Sequence, residues 1–307
     1  MRLRFSIVIC TLNREKVLCE TLEKVFSLMG DRTDGEIILV DQTRKHTAET
    51  ERFLSLASNS FRRFAVNFAS LTRARNLGVS AANGDIVIFL DDDVDPSPAL
   101  IDEHLESYTG PEIWGVGGSM LLPQQTLHSQ SEFTPKELSG ISINRINRYD
   151  LDWPRFLEWA PGCNMSFRRN RIHAVGGFDE AFQGASIGEE TEFCFRIRKA
   201  GGQIKYAPKA KLIHLVNPTG GCRDAAKEKE RLAQVLESLN YALTRMQTTR
   251  GARWQKLLAQ SRAFSINRQS FRQFTWPSRI WWCLSGLLRA SHAGRRNPIL
   301  PLLPLSD

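Results

Sequence analysis

Three short runs of aliphatic and β-branched residues, Phe5–Cys10, Glu36–Val40 and Asp85–Leu90, each run directly into a polar cluster. The clusters are Thr11-Leu12-Asn13-Arg14, Asp41-Gln42-Thr43 and Asp91-Asp92-Asp93. Runs that are apolar at nearly every position predict strands covered on both faces, the signature of a parallel sheet. Between them, Glu15–Leu28 carries Val17, Leu18, Leu22, Val25 and Phe26 at helical spacing, and Leu71–Ala82 predicts a further helix. Strand and helix in alternation predict an α/β sheet with helices on its faces. Ligands of such sheets bind beyond the carboxyl ends of the strands, which is where the three polar clusters fall.

The rest of the chain narrows the classes. Six cysteines are scattered with no C-x-x-C spacing, which excludes a zinc ribbon and argues for reduced thiols rather than a disulfide framework. No stretch approaches the roughly 18 apolar residues of a membrane-spanning helix. The apolar run ending at Cys10 meets Asn13-Arg14-Glu15-Lys16 too soon to be a signal peptide, so a cytoplasmic location is expected. The net charge of +8 belongs to the end of the chain, since residues 222–307 hold fifteen Lys and Arg against five Asp and Glu. A helix beginning near Asp224 sets Leu232, Val235, Leu236, Leu239, Leu243 and Met246 on one stripe, as a helix packed on a neighbouring domain does. Further on, Phe271–Arg289 interleaves Trp276, Trp281 and Trp282 with Arg272, Arg279 and Arg289. Arg with Trp suits an anionic membrane surface at least as well as nucleic acid. The expectation is a peripheral membrane contact at the inner face of the plasma membrane and no nucleic acid; packing on protein is an equal reading.

The densest chemistry is Phe89-Leu90-Asp91-Asp92-Asp93-Val94-Asp95-Pro96. Three adjacent carboxylates after a buried strand repel one another and resist desolvation unless a cation lies among them. Hard divalent ions take oxygen ligands, and Mg²⁺ commonly joins one or two carboxylates to a substrate phosphate. The competing reading is a solvated acidic turn in which Asp95 caps a helix over Pro96–Tyr108. A second acidic group, Glu189-Glu190-Thr191-Glu192, is read either as a favourable first helical turn or as a general base whose pKa a neighbouring carboxylate raises. His214 closes the strand-like Tyr206–Leu215, and spacing alone does not bring it to the aspartates.

Several ordered motifs together resemble glycosyltransferase family 2. They are Ser6–Arg14, Ile38–Gln42, Arg73-Ala74-Arg75-Asn76-Leu77-Gly78, Gly84–Asp93, Gly162–Arg169, Gly176–Glu180, Gly188-Glu189-Glu190 and the pair Pro208/His214. The resemblance runs from about Phe5 to Arg223 and implies the GT-A fold, a Rossmann-like mixed, mainly parallel sheet flanked by helices. It implies a catalytic domain over residues 1–221, followed by a basic, mainly helical extension over 222–307. It also implies an inverting transfer from a nucleotide-diphosphate-sugar, by family frequency a UDP-sugar, to a hydroxyl of a glycan or lipid-linked acceptor. Residue by residue, Thr11, Asn13 and Arg14 would line the nucleotide pocket, Asp41 would bond the base, and Arg75 would position the nucleotide. Asp91 and Asp92 would touch ribose or the water shell of a metal. Asp93 would bind Mn²⁺ or Mg²⁺, and His214 would complete the metal shell, which favours Mn²⁺ because imidazole is a softer ligand. Glu190 aligns with the family's usual aspartate base, and Glu189 is the alternative. Gly162-Cys163-Asn164 and Gly176-Gly177-Phe178 are expected as turns beside the acceptor.

Two other readings are weighed. A sugar-nucleotide nucleotidyltransferase carries a Gly-rich loop after its first strand, whereas Cys10–Arg14 has no glycine. A silent nucleotide- or carbohydrate-binding module does not need Asp91–Asp93, Glu189, Glu190 and His214 together.

Overall fold

The computed structural model describes residues 3–134, 148–182, 186–221, 228–246 and 249–265, with isolated positions from 277 to 284. The chain runs β1 (Phe5–Thr11), α1 (Lys16–Met29), β2 (Gly35–Asp41), α2 (Ala48–Leu56), β3 (Arg62–Ala65), α3 (Leu71–Ala81) and β4 (Ile86–Leu90). It continues through β5 (Val94–Pro96), α4 (Leu100–Glu106), β6 (Ile113–Leu121), β7 (Arg155–Phe156), β8 (Asn164–Arg168), α5 (Arg169–Ala174), α6 (Glu189–Lys199) and β9 (Gln203–His214). Helices α7 (Glu228–Arg245) and α8 (Arg250–Ser265) follow.

All nine strands form one mixed sheet, ordered β3-β2-β1-β4-β8-β6-β9-β5 with β7 on β9. Strands β3, β2, β1 and β4 are parallel, as the apolar runs predict, and β8 turns antiparallel to both β4 and β6. Alternation along each strand separates two apolar layers. Ile7, Ile9, Ile37, Leu39, Ile86 and Ile88 face α1 and α4, while Val8, Ile38, Val40, Val87 and Phe89 face α3 and α6. Both layers are closed, so these strands carry no solvent-facing side. Close approach requires glycine at Gly84, where an added Cβ would lie 2.4 Å from the Phe5 backbone carbon.

The acidic segment corrects one sequence reading. Asp95 does not cap a helix: it lies within β5 and pairs with Lys24 at 2.8 Å, and the helix starts only at Leu100 with Ala99 at its cap. The short β5 forms because Val94, Asp95 and Pro96 pair antiparallel with His214, Ile213 and Leu212. That pairing brings the end of β9 to the aspartates.

Helix α7 is not remote from the sheet. Helix α7 buries Val235, Leu236, Tyr241, Ala242 and Leu243. Tyr241 donates its hydroxyl to Asp179 at 2.6 Å, and its ring meets Phe182 edge-on. Ala242 lies against Gly188, where an added Cβ would come within 3.1 Å; Gly188 itself has φ +90°, a conformation that favours glycine. Among the described residues no helix is long and apolar enough to cross a membrane. Most of Phe271–Arg289 lies outside the described residues.

Candidate active site

The three polar clusters meet beyond the carboxyl ends of β1, β2 and β4, and His214 joins them from β9. Register explains the meeting: Thr11 lies opposite Asp41, and Ile9 opposite Leu90, so the residues after β1 and β4 emerge side by side.

Asp91, Asp93 and His214 present one oxygen or nitrogen each, all within 4.8 Å of one another. His214 Nε2 is 3.2 Å from Asp93 Oδ1 and 3.9 Å from Asp91 Oδ2. Asp93 is buried, and burial alone would raise its pKa. The His214 contact, the backbone N–H of Asn217 at 2.9 Å and Arg14 outweigh that and hold it below the ordinary aspartate value. Asp91 is a third exposed, and its pKa is raised by desolvation, with Arg75 and His214 opposing. Asp92 turns away from this group. It accepts the Thr11 hydroxyl at 2.6 Å, and burial pushes its pKa up to about 7 against that bond and the Arg14 charge.

Arg14, expected along the nucleotide pocket, pairs with two of the aspartates. Three adjacent carboxylates call for a cation among them, and the protein provides one for two of them. The buried Arg14 guanidinium stands 3.1 Å from Asp93 and 3.4 Å from Asp92. It also donates to the carbonyls of Asn217 and Thr219. The loop after His214 therefore folds back over the end of β1, where Gly221 N–H reaches the Leu12 carbonyl at 2.7 Å. Gly220, at φ +77°, faces Asn13 so closely that no side chain fits. The one sequence sign of this loop is Thr219-Gly220-Gly221, whose glycine pair marks a turn without telling where it folds.

Asp41 is wholly buried. It accepts the Thr43 N–H at 2.9 Å and His46 Nε2 at 2.9 Å, and it pairs with Arg63 at 2.8 Å. Asn13, with φ +53°, donates its N–H to Thr43. His46 and Arg63, which organise Asp41, carried no sequence signal.

On the opposite face of the sheet, α6 opens with the paired glutamates. Arg75 of α3 donates to Glu189 at 2.7 Å and to the Gly162 carbonyl at 3.0 Å, and lies 3.9 Å from Asp91. Its guanidinium sits over the Phe178 ring at 5.2 Å. Glu189 is thus committed to an ion pair, and Glu190 is the partly buried neighbour. Desolvation, the Glu189 charge and a hydrogen bond shared with Glu189 hold the Glu190 pKa well above the ordinary value. The next residue of α3, Asn76, ties down the turn that carries Phe178 by bonding both its N–H and its carbonyl at 2.8 Å. Gly176 and Gly177, at φ +83° and +68°, end α5 in left-handed backbone, which is ordinary turn chemistry. Asn164 points into the opposite apolar layer rather than toward these carboxylates, bonding Ser119, Ala210 and His104.

The predicted residues therefore form two neighbouring groups. Thr11, Arg14, Asp91, Asp92, Asp93 and His214 make one largely acidic cluster, with Asp41 and Asn13 beside it. Glu189 and Glu190 stand across Arg75.

Residues 6–146 match the model of Glycosyl transferase family 2, and residues 86–295 match that of Glycosyl transferase family group 2. A pre-mycofactocin glycosyltransferase from Mycobacterium tuberculosis is 27% identical over 150 residues, 46% of this chain. The chain spans only 29% of that relative's length. Among solved structures, a mannosyltransferase from Pyrobaculum calidifontis in complex with GDP-Man and Mn²⁺ superimposes with a TM-score of 0.57 at 14% identity, covering 96% of this chain and 77% of that one. TarS from S. aureus in complex with UDP-GlcNAc gives 0.57 at 14% identity, covering 94% and 83%. At these identities the likeness establishes the fold.

Proposed function

Because the chain belongs to glycosyltransferase family 2, we propose that it is an inverting, metal-dependent enzyme that moves a sugar from a nucleoside diphosphate donor to an acceptor hydroxyl. UDP-sugars are the proposed donors, and a glycan or lipid-linked hydroxyl is the proposed acceptor. The observation carrying this reading is that one buried guanidinium, Arg75, touches both the aspartate cluster and the glutamate pair. A leaving diphosphate and an attacking hydroxyl need opposite help at adjacent points, and the two groups offer it.

The donor set fits a divalent cation. Two carboxylates and an imidazole converge, and this mixture suits Mn²⁺ or Mg²⁺, Mn²⁺ slightly better. Asp91, Asp93 and His214 would hold such an ion, and the chemistry it supplies when bound is Lewis-acid neutralisation of charge on a diphosphate. Thr11, Asn13, Arg14 and Asp41 would line the nucleoside end, with Asp92 braced between Thr11 and Arg14. Arg75 orients Glu189 and so leaves Glu190 to accept the proton of the attacking hydroxyl. Glu190 suits this role because its raised pKa makes it a stronger base than an ordinary glutamate. Attack on the face opposite the leaving group inverts the anomeric centre, through an oxocarbenium-like state such as glycosidases also use.

In this reading residues 1–221 form the catalytic domain and 222–307 its extension. The test is a thermal-shift panel of UDP- and GDP-sugars with and without Mn²⁺. A ligand that binds the native state raises Tm, by about 2.7 kcal/mol of stabilisation at a hundredfold excess over Kd. The expected result is a rise for a nucleotide sugar that needs Mn²⁺; no shift with any donor would sink the proposal.

The same reading places the enzyme in the cytoplasm at a membrane surface. Ile280, Trp281 and Leu284 recur at helical spacing, and Trp281 and Leu284 are exposed, within a segment that is strongly basic. Deleting residues 265–307 should reduce co-sedimentation with anionic phospholipid vesicles several-fold; unchanged partition would remove the membrane contact.

A further inference from the structure

Strand β9 changes face on its way to His214. From Ile204 to Ala207, β9 pairs with β6 in regular register, and Gly118 stands opposite Ala207. The next residue of β6, Ser119, stands opposite Lys211, so Pro208, Lys209 and Ala210 are extra residues in β9. Side chains of a strand alternate, and an odd insertion therefore exchanges its two faces. The packing shows the exchange. Before the bulge, the even-numbered Ile204 and Tyr206 lie in the layer with α3 and α6; after it, the even-numbered Leu212 lies in the layer with α1 and α4. His214 follows the second pattern. Without the bulge, its imidazole would point to the other face of the sheet, away from Asp93.

Three residues of bulge leave carbonyls without strand partners, and side chains take them. Ser119 Oγ donates to the Pro208 carbonyl at 2.7 Å. Asn164, fully buried on β8, donates one amide hydrogen to the Ser119 carbonyl and the other to the Ala210 carbonyl, each at 2.8 Å. Its amide thus clasps both edges of the bulge. An added Cβ at Gly118 would lie 2.3 Å from both Ala210 O and Asn164 Nδ2, so glycine there is required by the clasp.

The orientation of that amide is itself set. His104 is buried in α4, and burial lowers its pKa to about 4, so the ring is neutral and carries one N–H. Since both Asn164 amide hydrogens are committed to carbonyls, Asn164 Oδ1 must accept from His104 Nε2 at 2.8 Å. His104 Nδ1 then accepts from Ser166 Oγ at 3.0 Å, and Ser166 accepts from the Tyr108 hydroxyl at 2.9 Å. Every donor in the chain has one direction, from Tyr108 to Ser166 to His104, and from His104 to Asn164 to the bulge. The side-chain bonds of Asn164 run to Ser119, Ala210 and His104.

We propose that Asn164, oriented by His104, is a positioning residue for the metal ligand His214, acting through the β9 bulge. The inference rests on the metal reading given above. It is tested by titrating the full-length protein with Mn²⁺ alone and following free Mn²⁺ by electron paramagnetic resonance. Asn164→Ala is expected to weaken Mn²⁺ binding by about tenfold or more, the usual range for removing support behind a ligand. His214→Ala should weaken it at least as much, and the double variant should bind no more weakly than His214→Ala alone, because Asn164 acts only through that ligand. Parent-like Mn²⁺ binding by Asn164→Ala, or losses that multiply in the double variant, would overturn the proposal. Should Asn164→Ala not fold, His104→Leu keeps Asn164 but removes the donor that orients it; a several-fold loss with recovery in His104→Gln supports the same path, and no loss overturns it. A parent protein that binds no Mn²⁺ would instead refute the metal site itself.

Discussion

Glu190→Gln is expected to lower kcat by about a hundredfold to ten-thousandfold, the range for removing a general base, while the donor-dependent rise in Tm persists. The substitution keeps the side chain's length and shape while replacing one acceptor oxygen by an amide donor, and it leaves the Arg75–Glu189 pair at 2.7 Å undisturbed. Loss of rate with retained donor binding is the pattern of a group needed only at the proton transfer. Glu189→Gln acts differently. It removes the anion that Arg75 holds, so donor binding and stability suffer along with rate. The two variants therefore separate the base from its neighbour, and a Glu190→Gln enzyme with parental kcat would move the base elsewhere.

The pH profile follows from the same pair. Desolvation and the Glu189 charge keep Glu190 protonated to higher pH than an ordinary glutamate, and only the ionised form accepts a proton. Activity should therefore rise with pH through the raised apparent pKa of the pair and level off above it. Removing the neighbouring charge in Glu189→Gln lets Glu190 ionise more readily, so whatever activity remains should rise at lower pH. A rise that stayed in place would show that Glu189 does not act on the titrating group.

Arg75→Leu is expected to cost about 3–5 kcal/mol of unfolding free energy, because it leaves a buried carboxylate without its partner. Arg75 is 3% exposed and Glu189 7%, so water does not replace the lost charge. The Gly162 carbonyl loses its donor as well. Urea denaturation measures the effect, and the double variant Arg75→Leu/Glu189→Leu should regain much of the loss, since two apolar side chains need no compensation. Loss of less than about 1 kcal/mol in the single variant would mean that water reaches Glu189, contrary to the packing described. Neither variant should transfer sugar, because Arg75 also stands 3.9 Å from Asp91.

Much of this site is legible in the amino-acid sequence. The strands β1, β2 and β4 follow from runs that are apolar at nearly every position, and the clusters Thr11–Arg14, Asp41–Thr43 and Asp91–Asp93 fall at their ends as α/β topology requires. The glutamates open α6 because acidic residues suit a first helical turn. These are short-range signals: side-chain period and end chemistry are properties of a few consecutive residues.

The remainder depends on who faces whom across the sheet. Nothing near Arg14 in sequence tells that it neutralises Asp92 and Asp93, nor does anything near Arg75 choose Glu189 over Glu190, more than a hundred residues away. Asp95 looked like a helix cap and became a strand residue once β9 arrived beside it. Tyr206–Leu215 reads as one uninterrupted strand, yet the three-residue bulge within it, clasped by Asn164, decides the face on which His214 emerges. The amino-acid order alone determined the strands, their apolar layers and the chemistry at their ends, because periodicity is local. Only the tertiary structure decided which charges pair and which way the histidine points, because register and burial are set by partners distant in the chain.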